Sequence, residues 1–129
     1  MFLTTYVLEA IIYMKWLIEF YEAFDLEFNE LNEEVQDECL AHLELLKIFG
    51  PNLKRPHVDT LNGSKHANMK ELRFYANDGV WRIAFAFDPE RKAIILVGGD
   101  KSGSSEKRFY KDLIKKADSR FDDHLTKLK

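Results

Sequence analysis

The spacing of apolar residues changes twice along this chain, and this change restricts the folds that the chain can adopt. From residue 22 to residue 50, and again after residue 105, apolar residues recur every three or four positions, which is typical of amphipathic helices. Between Met69 and Val97 they alternate with polar residues or form a short continuous run, which predicts β-strands. Helices at both ends and strands in the middle predict an α+β domain.

The strand-forming part of the sequence predicts an antiparallel meander of three strands over residues 69–76, 80–87 and 93–97. Asp78-Gly79 lies between the first two and favours a two-residue hairpin turn. The adjacent glycines at 98 and 99 are expected to end the third strand. The meander therefore fixes which side chains share a face of the sheet.

Helices and loops are predicted on both sides of the meander. Residues 14–20 predict a first strand, 22–31 a short helix and 51–68 an ordered loop with two prolines. A longer helix is expected to begin after Asn32, a good N-cap residue, and to end at Gly50-Pro51. The last helix carries apolar residues at helical spacing and should cover one face of the sheet: Phe109, Leu113, Ala117, Phe121, Leu125 and Leu128.

Length and composition indicate one domain, because 129 residues that are 46% hydrophobic can build one core. We assign residues 14–129 to it, and residues 1–13 are either an extension from an upstream start codon or an added element. No signal peptide or membrane segment is predicted. Cys39, the single cysteine, is expected in the core, and the lack of a second one favours the cytoplasm. Without a Cys/His cluster or a glycine-rich phosphate loop, neither a metal nor a cofactor is expected.

Charge is distributed unevenly along the chain. Residues 1–50 contain two Lys+Arg and eleven Asp+Glu, whereas residues 51–129 contain seventeen and eleven. A basic half of this kind indicates a surface for nucleic acid or for an acidic partner, although charged helix faces can also segregate by chance.

The predicted hairpin brings polar residues onto one face of the sheet. With Asp78-Gly79 as the turn, three pairs share that face: Tyr75 with Arg82, Arg73 with Ala84, and Glu71 with Ala86. The small alanines are expected to leave a concave floor bordered by the two arginines. Lys101, just after the third strand, and Tyr110, in the last helix, can reach the same end of the sheet.

Other polar residues are weaker candidates for a site. Lys107 and Lys111 lie on a basic helical stripe that can track phosphates or simply face solvent. His57 and His66, in the long loop, belong to the residue type that best transfers protons near neutral pH. The combination of arginines and proton-transfer groups without a metal site suits the cleavage of RNA by its own 2′-hydroxyl. In that reaction, cations stabilise the charge that develops on the phosphorane.

Three segments resemble the phage-derived, HigB-like branch of the RelE/ParE toxin superfamily. They are residues 55–73 (RPHVDTLNGSKHANMKELR), residues 79–88 (GVWRIAFAFD) and residues 98–101 (GGDK), and the resemblance extends from about Met14 to His124. It implies a RelE-like α+β domain with helices packed on an antiparallel sheet. It also implies that Arg82 binds phosphate, that Arg73 and Lys101 are further cations, and that Tyr110 stacks on a base or assists proton transfer.

Departures from the family pattern leave part of the site open. A lysine-rich first hairpin strand is replaced by residues 70–73, in which Lys70 is a candidate RNA contact and Glu71 stands where a cation is expected. The general base and acid remain to be chosen among Glu71, His57, His66 and Tyr110.

The resemblance implies the toxin of a type II toxin–antitoxin pair. Such a toxin is expected to be a ribosome-dependent endoribonuclease that cuts translated mRNA, neutralised by a HigA-like helix-turn-helix antitoxin. Two alternatives stay open: a ParE-type inhibitor of DNA gyrase, and a module with neither activity. The acidic N-terminal helices can either dock a basic antitoxin segment or stay solvated.

Overall fold

The computed structural model describes residues 15–129, so the predicted extension at 1–13 and the first residue of the predicted strand 14–20 lie outside the described residues. Along the chain the elements are β1 (Leu17–Phe20), α1 (Glu22–Asn29), α2 (Glu33–Phe49), a short 3-10 helix (Gly50–Asn52), β2 (Val58–Thr60), β3 (Met69–Ala76), β4 (Gly79–Phe87), β5 (Lys92–Asp100) and α3 (Glu106–Lys127). The predicted α+β class and the order of its main elements are confirmed.

The strands form one five-stranded sheet in the order β1-β5-β4-β3-β2. β3, β4 and β5 make the predicted antiparallel meander, and β1 adds to it in parallel alongside β5. β2 was not predicted, because three residues inside a proline-containing loop are too few to show a period of two. It pairs with residues 70–72 of β3, and its flanking residues His57 and Leu61 add hydrogen bonds to Arg73 and Met69.

Both faces of the sheet are covered. α1 and α2 pack on one face, where Phe24, Cys39 and Leu43 meet Leu72 and Phe85. Burial raises the pKa of the Cys39 thiol to about 12, as expected for a core cysteine.

The other face lies beneath α3. Leu113, Ala117 and Phe121 pack there against Ala84 and Ala86, and both of these alanines are fully buried. The predicted concave floor was therefore wrong, because the small side chains accommodate the helix.

The hairpin register differs from the predicted one by two residues. The turn is Asn77-Asp78, with φ angles of 49° and 61°, and Ala76 pairs with Gly79. A type I′ turn needs positive φ at both central residues, which asparagine and aspartate tolerate. Because the shift is an even number of residues, every side chain keeps its predicted face, but Arg73 now lies directly opposite Arg82.

The ends of several elements also differ from prediction. β5 continues through both glycines to Asp100, and a Cβ at Gly98 would lie 2.5 Å from Ile83, so this close approach needs glycine. α2 begins as predicted, with the Asn32 side chain accepting from the Glu34 amide at 2.9 Å. Among residues 15–129, no helix combines the length and apolar composition needed to cross a membrane.

The last half of α3 is fastened to the sheet by polar contacts. His124 is buried and lies 2.8 Å from Asp88 in the turn between β4 and β5. Burial opposes ionisation of Asp88, but the hydrogen bonds from His124 and from the amides of Glu90 and Lys92 outweigh it and lower its pKa. Arg120 donates to the Leu96 carbonyl at 2.7 Å and pairs with Glu27 of α1.

The end of α2 supplies a test of packing. Gly50 has φ +52°, and a Cβ there would lie 2.2 Å from the Trp16 indole nitrogen. We expect Gly50→Ala to lower the free energy of unfolding by about 3 kcal/mol, from backbone strain plus the clash. Gly103→Ala is the control, because Gly103 also has positive φ but open space around it, and should cost about 1 kcal/mol. Equal losses in urea denaturation would contradict the clash with Trp16.

The Asp88 contact supplies a test by pH. Because the folded-state pKa of Asp88 is lowered, its carboxylate adds stability above its ordinary pKa of 3.8, and this stability is lost as pH falls through the folded-state value. Asp88→Ala should lower the free energy of unfolding by about 2 kcal/mol at pH 7. The difference from the wild type should shrink below about pH 4. The exposed Asp37→Ala variant should show no such pH-dependent difference in the same urea titrations.

Candidate active site

Four side chains meet between the hairpin and the start of α3, and we call them the arginine–tyrosine cluster: Glu71, Arg73, Arg82 and Tyr110. The first two project from β3 and the third from β4, all on the face that α3 covers. α3 begins at the cap residue Ser105, whose hydroxyl accepts from the Arg108 amide at 3.2 Å. One turn later the helix places Tyr110 over the hairpin.

The Tyr110 hydroxyl is the centre of the cluster. The Nε of Arg82 donates to it at 2.6 Å, and the Arg73 guanidinium approaches it at 3.5 Å. The hydroxyl itself donates to the Glu71 carboxylate at 3.1 Å. A single oxygen atom therefore connects the acid and both cations.

The Glu71 carboxylate offsets the repulsion between two arginines that face each other across the hairpin. Glu71 is 3% exposed and accepts from the Arg73 guanidinium at 2.5 Å. Arg82 is 6% exposed and reaches the carboxylate through Tyr110, while its Nη1 donates to the Val80 carbonyl at 3.3 Å. Like charges directly opposite each other destabilise a hairpin unless a counter-charge lies between them.

Aromatic rings enclose the Arg82 guanidinium. Its central carbon lies 5.5 Å from the Tyr110 ring centroid and 5.7 Å from that of Phe109. Gly99 of β5 lies beneath Phe109, where a Cβ would approach the ring to 3.3 Å. Cation–π contacts hold the Arg82 guanidinium in place. The low polarity of the rings also strengthens its electrostatic attraction for an anion.

Two polar atoms of the cluster have no hydrogen-bond partner: Oε2 of Glu71 and Nε of Arg73, both buried. Burial and the Glu71 carboxylate raise the pKa of the Tyr110 hydroxyl, so it stays protonated at neutral pH. Although burial opposes the charge of Arg73, Glu71 and Tyr110 outweigh it and raise the pKa of Arg73. The cluster thus combines two permanent cations, a proton donor and a carboxylate acceptor.

The other predicted site residues lie outside this hydrogen-bonded group. Lys101 is exposed in the loop after β5, at the same end of the sheet as Arg82, and Lys107 and Lys111 are exposed on the first turns of α3. Their predicted contacts with RNA stay predictions.

The imidazole rings of the two loop histidines do not join the hydrogen bonds of the cluster, although the His57 carbonyl accepts from the Arg73 amide at 2.8 Å. His66 lies 2.8 Å from Asp122 and packs on Phe121 of α3. His57 lies beside His42 of α2, with ring centroids 5.5 Å apart. Among the four groups considered for proton transfer, only the side chains of Glu71 and Tyr110 hydrogen-bond to the arginine side chains.

Lys70 alternates with Glu71 along β3 and therefore points to the opposite face, where its ammonium group donates to the Thr60 hydroxyl at 2.9 Å. The helical spacing predicted Phe109 on the apolar stripe of α3 but not its contact with Arg82. The available signal was the adjacent Phe109-Tyr110 pair one turn into a helix that follows a strand.

Among residues 15–129, no group of three or more His, Cys, Asp or Glu side chains could hold a metal ion.

Comparison with known proteins agrees with this architecture. Residues 26–122 match the family model described as "Phage derived protein Gp49-like (DUF891)". The fold is similar to that of free Escherichia coli toxin RelE carrying two arginine-to-alanine substitutions, with a TM-score of 0.57 and 14% identity over 80% of this chain and 97% of that one.

Two curated proteins of Mycobacterium tuberculosis are much more similar in sequence. "Putative toxin HigB3" is 46% identical over 98 residues, which cover 76% of this chain and 83% of that protein. "Putative toxin HigB2" is 45% identical over 98 residues, which cover 75% of this chain but only about half (48%) of that protein. The chain belongs to the Gp49-like family of HigB-like toxins, with the RelE fold.

The central hydroxyl supplies a test of the cluster. Tyr110→Phe should lower the free energy of unfolding by about 1.5 kcal/mol, because Arg82 Nε and Glu71 lose a buried hydrogen-bond partner. Tyr75→Phe is the matched control, since Tyr75 is 77% exposed, and should change stability by less than about 0.5 kcal/mol. Equal values for both variants in urea denaturation would mean that the hydroxyl does not hold the cluster together.

Proposed function

We propose that this protein is the toxin of a type II toxin–antitoxin pair and that it is a ribosome-dependent endoribonuclease acting on translated mRNA. The observation that carries the proposal is the Tyr110 hydroxyl, which lies within 3.5 Å of both arginines and of Glu71. Family membership supports the same class of activity. No metal is required, because the attacking group is the 2′-hydroxyl of the RNA itself.

In the proposed reaction, the 2′-oxygen attacks the neighbouring phosphorus and the bond to the 5′-oxygen of the next nucleotide breaks. Arg82 and Arg73 bind the phosphate oxygens and stabilise the charge that develops on them. The products are a 2′,3′-cyclic phosphate and a 5′-hydroxyl. The guanidinium fork suits this role because it matches phosphate with two parallel hydrogen bonds.

Glu71 and Tyr110 are the proposed proton-transfer groups. Glu71 Oε2, the buried acceptor without a partner, takes the proton of the 2′-hydroxyl. Tyr110, whose raised pKa keeps it protonated, gives its proton to the leaving 5′-oxygen. This assignment leaves His57 and His66 outside the chemistry, since neither imidazole hydrogen-bonds to an arginine side chain of the cluster.

The proposed partner is a HigA-like helix-turn-helix antitoxin, which membership of a toxin family supports. Acidic residues of α1 and α2 offer a surface for a basic antitoxin segment. Co-purification of the two proteins from one operon would establish the pair.

The proposal is tested by primer extension on a defined mRNA in a purified translation system. Arg82→Ala should reduce cleavage by at least about 100-fold, as for loss of one donor to a transition-state oxyanion. Lys116→Ala, an exposed lysine on α3, is the control and should cleave like the wild type. Because Arg82 is buried, Arg82→Lys and a thermal melt of each variant separate loss of chemistry from loss of fold.

The outcomes separate the alternatives. Cuts that need translating ribosomes and vanish in Arg82→Ala agree with the proposed nuclease. Folded, antitoxin-free protein that leaves mRNA intact but causes DNA damage in cells would indicate gyrase inhibition instead. Harmless expression would indicate a copy with neither activity.

A further inference from the structure

Two cavities lie beside β2 and β3, and they share two lining residues. The first, which we call the histidine cavity, has a volume of about 630 Å³ and is lined by His42, His57, Arg73 and Tyr75. The second, the lysine cavity, has a volume of about 360 Å³ and is lined by Lys54, Lys70, Phe85 and Phe87. Arg55 and Asp59 line both cavities, so the two form one groove.

The groove begins at the candidate active site, because Arg73 belongs to the cluster and also lines the histidine cavity. It passes Tyr75, which is highly exposed, and runs alongside β2, whose Asp59 lines both cavities. It ends at Lys70, three residues from Arg73 and about 10 Å away along the strand. The groove therefore leads from one face of the sheet around its edge to the other.

Charge in the lysine cavity favours an anion. Its cations are Lys54, Arg55 and Lys70, and its carboxylate, Asp59, is paired with Arg55 at 2.8 Å. The two lysines therefore contribute positive charge that this carboxylate does not offset. The hydrogen bond to Thr60 uses one of the three protons on the Lys70 ammonium group and orients it.

Apolar surface lies beside these charges. The half-buried Phe87 ring lines the lysine cavity, and the exposed Tyr75 ring lines the other. Aromatic surface next to cations suits single-stranded nucleic acid, whose bases stack on rings while its phosphates contact lysine and arginine. Each cavity has a volume typical of small-ligand sites.

We propose that single-stranded RNA whose reacting phosphate lies at Arg73 and Arg82 continues along this groove. A base of that RNA stacks on Tyr75, and a more distant phosphate binds between Lys54 and Lys70. This inference rests on the proposed function for its substrate. It adds a second, non-catalytic contact region that consists of Tyr75, Lys54 and Lys70, and Lys70 lies on the other face of the sheet. It predicts that affinity depends on RNA length.

The test is fluorescence anisotropy with the full chain and two fluorescein-labelled RNAs, a 12-mer and a 3-mer, both 2′-O-methylated so that they cannot be cleaved. Lys54→Ala and Lys70→Ala should each weaken 12-mer binding about three- to tenfold. They should also reduce the slope of log affinity against log salt by about 0.7, and leave the 3-mer unchanged. Tyr75→Ala should weaken 12-mer binding about tenfold, and Tyr75→Phe should retain it.

Lys116→Ala is the matched control, because it removes the same charge from an exposed position on α3. If Lys54→Ala and Lys70→Ala bind the 12-mer like the wild type, or lose no more affinity than Lys116→Ala, the groove is not an RNA site. A cavity that instead takes an acidic segment of a partner protein would give that result. Because this assay measures binding alone, a protein that does not cleave mRNA can still pass it, so the two proposals fail separately.

Discussion

The buried Glu71 carboxylate is the interaction on which the rest of the site depends. The hairpin register places Arg73 directly opposite Arg82, and two guanidinium groups held this close are unfavourable without a counter-charge. Glu71 supplies that charge from the same strand, two residues before Arg73, and therefore on the same face. Tyr110 then carries the interaction to Arg82, so a carboxylate, a hydroxyl and two cations form one connected group. Removing one member of this group leaves a buried charge without its partner, which destabilises the fold.

The same helix builds the core and completes the site. α3 rests on Ala84 and Ala86 because only small side chains let it approach the sheet closely, and this approach brings Tyr110 within hydrogen-bond distance of Arg82. Its second half is held by buried polar contacts, including that of His124 with Asp88. The position of the phenol is therefore set at a distance, by packing in the middle of the helix and by polar contacts near its end.

Structural features that follow from a repeating pattern were predictable from the sequence, whereas features that depend on a single contact were not. The alternation of apolar and polar residues predicted strands β3 and β4. It also predicted that Arg73 and Arg82 lie on the same face of the sheet, because successive side chains of a strand point to opposite faces. The register required knowing that Asn77-Asp78, not the more usual Asp78-Gly79, adopts positive φ, and this choice depends on pairing along the whole hairpin. Lys70 was a candidate RNA contact from its place in a motif, and alternation along β3 puts it on the face opposite the cluster. Glu71 looked like a departure from a basic strand, and its value as a counter-charge became visible only once the two arginines were known to face each other.

The atoms that stabilise the cluster are also the ones that would bind the phosphate in the proposed activity. In this structure Arg82 Nε donates to Tyr110, and Arg73 donates to Glu71, so an incoming phosphate must compete with these partners for the guanidinium groups. A phosphate carries more charge than a neutral phenol and accepts bidentate hydrogen bonds, which favours the exchange at Arg82. At Arg73 the competitor is a carboxylate, so the exchange is closer to balanced. Under the proposed function, Arg82 is therefore the stronger phosphate ligand and Arg73 the weaker one, and Arg73 also borders the groove by which the RNA strand leaves the site.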